Sequence, residues 1–266
     1  MFVKHPGRQS RSDTRIVRFN PMSVQKDRMD RASVTDEAIE RIRGLIVSGE
    51  WGPGTRLPRE ADLAKQLGLS RNSLREAVRA LSITRVLEVR QGDGTYVSSL
   101  EPGDLLEPTL SATHLLRGRT VLELFEVRRM LEPQAAAMAA QRADADVIGA
   151  LRLELDRMVA AGDRADELVE ADAAFHDVIA GAPGNGVLRA LLRSLSTSTV
   201  RARLWHGIAE RGALDLARDE HKRIYDAIVA GDADLARAAT LLHIVTNETW
   251  LRDHLGPADD VPLGGD

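Results

Sequence analysis

The chain has 266 residues, of which 43% are hydrophobic and 29% charged, with a formal net charge of -4 and no cysteine. Two domains of ordinary size, or one large one, fit that length, while disulfides, thiolate metal sites and cysteine nucleophiles are excluded. No apolar run approaches the roughly 20 residues of a membrane span, and residues 1–20 lack the apolar core of a signal peptide, so a cytoplasmic protein with no membrane partner is expected.

In chain order, residues 1–33 are polar, Arg-rich and aperiodic, which predicts a disordered arm. Thr35 is a good helix cap with Asp36 and Glu37 in the first turn, and Ile39, Ile42, Leu45 and Ile46 then share one face. Gly49 and Trp51-Gly52-Pro53-Gly54 end that helix. A short helix over 59–67 turns Leu63, Ala64 and Leu67 inward. Gly68 breaks it, and Ser70 caps a third helix with Leu74, Ala77, Val78 and Leu81 at helical spacing. Two helices joined by a Gly-containing turn form a helix-turn-helix pattern. Residues 86–90 and 95–97 read as strands around Gln91-Gly92-Asp93-Gly94, where Asp-Gly signals a hairpin turn. Residues 34–99 therefore predict a winged helix-turn-helix of three helices plus a β-hairpin wing. Residues 100–120, with Pro102-Gly103 and Pro108, predict a linker holding at most a short helix. Residues 121–254 are helical throughout, interrupted at Gly162-Asp163, Gly181–Gly186 and Gly231-Asp232. They predict an antiparallel all-α bundle of six or seven helices, followed by a tail over 255–266. The fold class is mainly α.

Charge follows the same division. Residues 1–100 carry 18 Lys+Arg against 12 Asp+Glu, and the remainder 18 against 28. A basic front suits a phosphate backbone, and an acidic back keeps clear of it. On the third helix, removing the apolar face leaves Arg71, Asn72, Ser73, Arg75 and Arg79 outward. Arginine pairs with guanine O6/N7, asparagine with adenine, and serine holds phosphates. Three arginines alone would equally describe a solvated helix face; the preceding helix, the turn and the Gly-rich wing favour DNA.

At these residues the chain resembles the GntR superfamily of bacterial regulators. The carrying stretches are Gly54-Thr55-Arg56-Leu57-Pro58-Arg59-Glu60, Leu67-Gly68-Leu69-Ser70-Arg71-Asn72-Ser73-Leu74-Arg75-Glu76-Ala77, and Arg90-Gln91-Gly92-Asp93-Gly94-Thr95-Tyr96-Val97. The resemblance implies DNA contacts from Ser70, Arg71, Asn72, Ser73 and Arg75, with Gln91 and Gly92 in the wing. Two positions depart from the pattern. Ala61 stands where many members carry a DNA-contacting arginine, with Arg59 two residues earlier as a substitute contact. Arg85 stands where the turn out of the recognition helix usually holds glycine. A side chain in a left-handed cap is disfavoured by about 1 kcal/mol, which predicts a different turn there.

In the helical region, Asp172 and His176 project from one helix face at i, i+4. His221 shares a face with Ile224 and Ile228, and His243 with Ala236, Ala239 and Trp250, so both are expected inward. One carboxylate and three imidazoles suit a divalent ion; by spacing alone they equally suit core histidines bonded to neighbours. His206 and His254 are left as surface or core residues. Asp172-Ala173-Ala174-Phe175-His176, Gly184-Asn185, Glu220-His221 and Gly231-Asp232-Ala233 leading to His243 are similar to the C-terminal (FCD) domain of the FadR subfamily. That resemblance implies Asp172, His176, His221 and His243 as ligands of a divalent metal, zinc foremost, with nickel or manganese as alternatives. It also implies an adjoining pocket for a small organic-acid or sugar-acid effector. Arg128, within Glu126-Val127-Arg128-Arg129-Met130-Leu131-Glu132, matches a family arginine facing that pocket, and Arg201 and Arg203 are further candidates; an arginine fork suits a carboxylate.

The leading expectation is an effector-controlled regulator, a repressor in the first instance, binding a palindromic operator as a homodimer. The alternative is a metal-dependent hydrolase or lyase with a nucleic-acid-binding appendage, although no motif places a general base. A structural nucleoid or scaffold protein is a third class.

Overall fold

The computed structural model describes residues 21–110, 112–113, 120–162, 164–210 and 212–255. Ten helices and one hairpin are present among them: α1 Pro21–Val47, α2 Glu60–Leu67, α3 Arg71–Ile83, β1 Leu87–Arg90, β2 Gly94–Val97, α4 Pro102–Leu110, α5 Thr120–Arg142, α6 Ala145–Ala161, α7 Ala165–Gly181, α8 Gly186–Ala209, α9 Ala213–Val229 and α10 Ala233–His254. The described residues fall into two compact units, one within Met1–Trp51 and Leu57–Ala80, the other within Gly52–Arg56 and Leu81–Asp266. No helix among the described residues is long and apolar enough to cross a membrane.

In the first unit, α1 buries Ala38 and Ile42, with Ile39, Leu45 and Ile46 half-buried. The helix starts earlier than expected: its backbone is helical from Pro21, so the expected arm over 1–33 is helical in its last part, and its remainder, residues 1–20, lies outside the described residues. Proline is well placed at a helix start, and the following Gln, Lys, Arg, Met and Ala are good helix formers that need no apolar face to extend an existing helix. Between α2 and α3 the chain turns at Gly68, left-handed at φ 64°, where Leu69 N–H donates to Ala64 O at 2.9 Å. Ser70 caps α3, its Oγ accepting from Ser73 N–H at 3.0 Å. Leu63, Leu74 and Ala77 are buried at 1% exposure or less.

In the second unit the wing pairs Leu87 with Val97 through Arg90 with Gly94, antiparallel, and Thr55 and Gly54 bond the far side of Val97. The left-handed residue of the turn is Gly92 (φ 75°), not Gly94, which lies inside β2. Glycine is needed at 94 for another reason: a Cβ there would stand 3.0 Å from Arg56 Nε, and Arg56 is held against Asp93 at 3.2 Å. Arg85 does not produce a different turn. It adopts the left-handed conformation itself (φ 54°), because Arg85 N–H to Ser82 O (3.1 Å) and Val86 N–H to Leu81 O (2.9 Å) close the end of α3. Two such bonds outweigh a penalty of about 1 kcal/mol. Arg85→Gly is therefore expected to raise stability by about 1 kcal/mol. The lost Arg85–Glu107 bridge (2.9 Å, both side chains about half exposed) contributes little. A lower melting temperature for Arg85→Gly would contradict this account.

The helical bundle α5–α10 has six helices, as expected. Asp144, Asn185 and Asp232 cap α6, α8 and α10, accepting from Val147, Leu188 and Leu235 N–H at 2.9, 3.1 and 2.9 Å. Two breaks lie where helical periodicity runs on, before α6 and before α9, the second at left-handed Gly212. Ala135, Ala136 and Ala139 on α5 and Ala236 on α10 are fully buried, so these two helices approach closely. Leu151, Met158, Phe175, Ile224 and Ile228 complete the main core.

Candidate metal centre and nucleic-acid interface

Three helices meet at a buried polar cluster inside the bundle. Asp172 and His176 come from α7, His221 from α9 and His243 from α10, with exposures of 9, 5, 1 and 1%. One ligand atom from each lies within 4.8 Å of all the others. Asp172 Oδ1 is 3.0 Å from His221 Nε2 and 3.9 Å from His176 Nε2. The three imidazole rings sit 4.4–5.3 Å apart between centroids. All three Nε2 atoms are buried and have no hydrogen-bond partner among the described residues. Burying three such atoms together is costly unless something else satisfies them.

The opposite side of each ligand is anchored. His176 Nδ1 faces Glu132 Oε2 at 3.2 Å, His221 Nδ1–H donates to Ala217 O at 2.6 Å, and His243 Nδ1–H donates to Glu220 Oε2 at 2.9 Å. Asp172 Oδ2 ion-pairs with Arg203. Anchored Nδ1–H groups leave each Nε2 as the free lone pair, the arrangement of metal-ligating histidines. Burial and the neighbouring His176 hold His221 down to about 3, and burial with His221 holds His243 well below the usual imidazole range. Neutral imidazole is the form that ligates. Burial pushes Glu132 up, but Arg128 and His176 together hold it well below the usual carboxylate range; burial raises Glu220. Burial and the nearby Arg128 lower Arg203 to about 9. One carboxylate oxygen and three imidazole nitrogens, buried and pre-oriented, fit a divalent ion, borderline zinc or nickel before the harder manganese.

A cavity of about 40 Å³ adjoins Asp172, His221 and His243, lined also by Arg203, His206, Thr246 and Asn247, with Leu168, Val169 and Leu214 on its apolar side. Arg203 bonds Ser196 O and Oγ at 2.9 and 3.1 Å, while its Nε has no hydrogen-bond partner among the described residues. Arg128 is buried and is not among the cavity residues; it bonds Glu132 and Thr199. Arg201 lies on α8, its side chain outside the described residues. Several members of the site went unread in the sequence. Glu132 stood four residues after Arg128, a spacing that pairs charges on one helix face, and Glu220 stood beside His221. His206 lines the cavity, bonded to Asn247 Oδ1 at 3.1 Å and stacked on Trp250 at 4.5 Å; its neighbourhood carried no signal.

In the first unit, Arg59, Ser70, Arg71, Asn72 and Arg75 are exposed and Ser73 is half-buried, gathered around the starts of α2 and α3. Arg75 stands 3.9 Å from Glu60. In the second unit, Gln91 and Gly92 are exposed at the wing tip.

Comparison with known proteins matches two stretches of the chain. The model of bacterial regulatory proteins of the gntR family matches residues 34–97, and the FCD domain model matches residues 123–246. HTH-type transcriptional regulator LutR of Bacillus subtilis (strain 168) is 34% identical over 215 residues, covering 78% of this chain and 96% of that protein. The galactonate operon transcriptional repressor of Escherichia coli (strain K12) is 29% identical over 224 residues, covering 82% and 97%. The solved structure of Streptococcus agalactiae GntR superposes with a TM-score of 0.63 at 29% identity, over 81% of this chain and 99% of that one.

Proposed function

Because the chain belongs to the GntR family of bacterial regulators and carries the FCD domain of its FadR-type members, we propose that it binds a palindromic operator as a homodimer and responds to a small acid at the buried centre. The protein is a DNA-binding transcriptional regulator and not an enzyme; the hydrolase and scaffold readings fall away. Arg59, Ser70, Arg71, Asn72, Ser73 and Arg75, with Gln91 and Gly92 of the wing, are the DNA-contacting residues in this reading. Two copies would present two such helices to half-sites related by two-fold symmetry. Action on bacterial DNA supports a cytoplasmic location.

The convergence of Asp172 and three free Nε2 atoms beside Arg203 carries the effector half of this reading. A divalent ion held there, zinc before nickel or manganese, supplies fixed positive charge and open coordination positions for a carboxylate oxygen. Arg203 supplies a guanidinium donor at the cavity wall, and His206, Thr246 and Asn247 supply partners for hydroxyls. Arg201 is the further effector candidate from the resemblance, whereas Arg128, which the resemblance also implies, is engaged by Glu132 and Thr199. The galactonate repressor, whose operon is named for a sugar acid, supports an acid effector. A cavity of about 40 Å³ holds only a water or two, so an acid must move side chains to enter. Effector control further requires that the acid bind one arrangement of the protein better than another.

Full-length protein is expected to purify with a divalent metal, to lose melting temperature on chelation, and to gain it with one member of a panel of hydroxy and sugar acids. The same acid should weaken footprint protection of a palindrome upstream of the gene. A metal-free protein indifferent to chelator would eliminate the centre, and protection unaffected by every acid would eliminate the effector control.

A further inference from the structure

Arg128 is among the most deeply buried side chains of the described residues, at 1% exposure. Its three nitrogens are all engaged: Nε with Glu132 Oε1 at 2.5 Å, Nη2 with Glu132 Oε2 at 3.2 Å, and Nη1 with Thr199 Oγ1 at 2.8 Å. Thr199 is itself bonded to Leu195 O at 3.0 Å. A two-pronged grip on both oxygens fixes the plane of a carboxylate, which a single bond leaves free to rotate. The gripped carboxylate presents Oε2 to His176 Nδ1 at 3.2 Å.

We infer that Arg128 and Glu132 are positioning residues of the metal centre: Arg128 fixes the Glu132 carboxylate, which holds His176 Nδ1–H so that only Nε2 faces the ion. The inference rests on the metal reading above, and it gives Arg128 a different task from touching the effector. An acid reaching Arg128 would have to displace Glu132 or Thr199, and displacing Glu132 would release His176. Without Glu132 the ring can adopt the other tautomer, whose Nε2 carries a proton and cannot ligate. Outer partners of this kind are worth about 10–100-fold in metal affinity.

Zinc affinity of the full-length protein, measured by competition with a chromophoric chelator, tests this. Glu132→Gln is expected to bind zinc about 10–100-fold more weakly, and Arg128→Lys, which keeps the charge and loses the fork, is expected to fall between it and the original chain. Because Glu132→Gln strands a buried guanidinium, the pair Arg128→Met/Glu132→Gln is measured beside it, removing both charges together. Nitrogen-15 spectra of the zinc-free protein supply a readout indifferent to stability. His176 should be held as the Nδ1–H tautomer in the original chain and become a mixture in the double variant. Unchanged zinc affinity and tautomer in the double variant would reduce the pair to a structural ion pair and overturn the inference. Intact zinc affinity with lost acid response in Arg128→Lys would return Arg128 to effector binding and overturn it equally. Failure of the original chain to take up zinc, nickel or manganese would instead overturn the metal reading on which the inference stands.

Discussion

Asp172→Ala is expected to abolish binding of the proposed divalent ion and to lower stability by about 3–5 kcal/mol, the usual result of stranding one partner of a buried ion pair. Asp172 does two things at once: Oδ1 faces His221 and His176 Nε2, while Oδ2 neutralises Arg203, a guanidinium only 8% exposed. Removing the carboxylate takes away a proposed ligand and leaves that charge facing the cavity with Ser196 alone, among the described residues, to bond it. At about 2–4 °C per kcal/mol for a chain of this size, the loss should be plain in a melting curve. The double variant Asp172→Ala/Arg203→Met separates the two effects. It should recover much of the stability, since neither charge remains buried, and still hold no metal. If Asp172→Ala retained stoichiometric metal, the ligand assignment would be wrong. If the double variant were no more stable than the single, the Asp172–Arg203 pair would not be what stabilises this part of the bundle.

The second large effect belongs to the recognition helix. Arg71 stands exposed at the first turn of α3, just after the Ser70 cap. An arginine there that reads a guanine contributes about 1–3 kcal/mol of discrimination, so Arg71→Ala should weaken operator binding about 5–150-fold and relax the sequence preference at one base pair of each half-site. A phosphate contact behaves differently: affinity falls across all sequences alike and the salt dependence becomes shallower by about one counterion. Binding isotherms on operator and scrambled DNA at several salt concentrations distinguish the two. Equal loss on both DNAs would make Arg71 a backbone contact, and no loss on either would remove it from the interface.

Much of this was readable locally. The turn residue Gly68, the Ser70 cap and the apolar spacing of Leu74, Ala77, Val78 and Leu81 were enough to locate α2 and α3, because caps and helical faces are set by residues a few positions apart. Asp172 and His176 were legible as one face of a helix for the same reason, and His221 and His243 were legible as inward-pointing. Punctuation without glycine or proline was harder: the break before α6 rests on Asp144, whose capping bond competes with a continuous alanine-rich helix. Gly94 looked like the turn residue of the wing, yet glycine is required there by the approach of Arg56, which no dipeptide signal encodes.

The amino-acid sequence by itself determined the order of the elements, the side chains each helix offers to the interior, and the set of donors available for a metal. The tertiary structure alone decided what those side chains meet. The resemblance implied Arg128 at an effector pocket, and nothing in the sequence said whether an acid or a carboxylate of the chain itself would meet it. Glu132, four residues on in the same helix, is within local reach, but the bond to Thr199, 71 residues away, follows only from how α5 packs against α8. Likewise Glu220 and His243 are 23 residues apart, on helices whose contact brings one imidazole nitrogen onto a carboxylate and leaves the other facing the centre. Helical periodicity records direction and burial along one element; the partner of a buried polar atom is chosen by the packing of several.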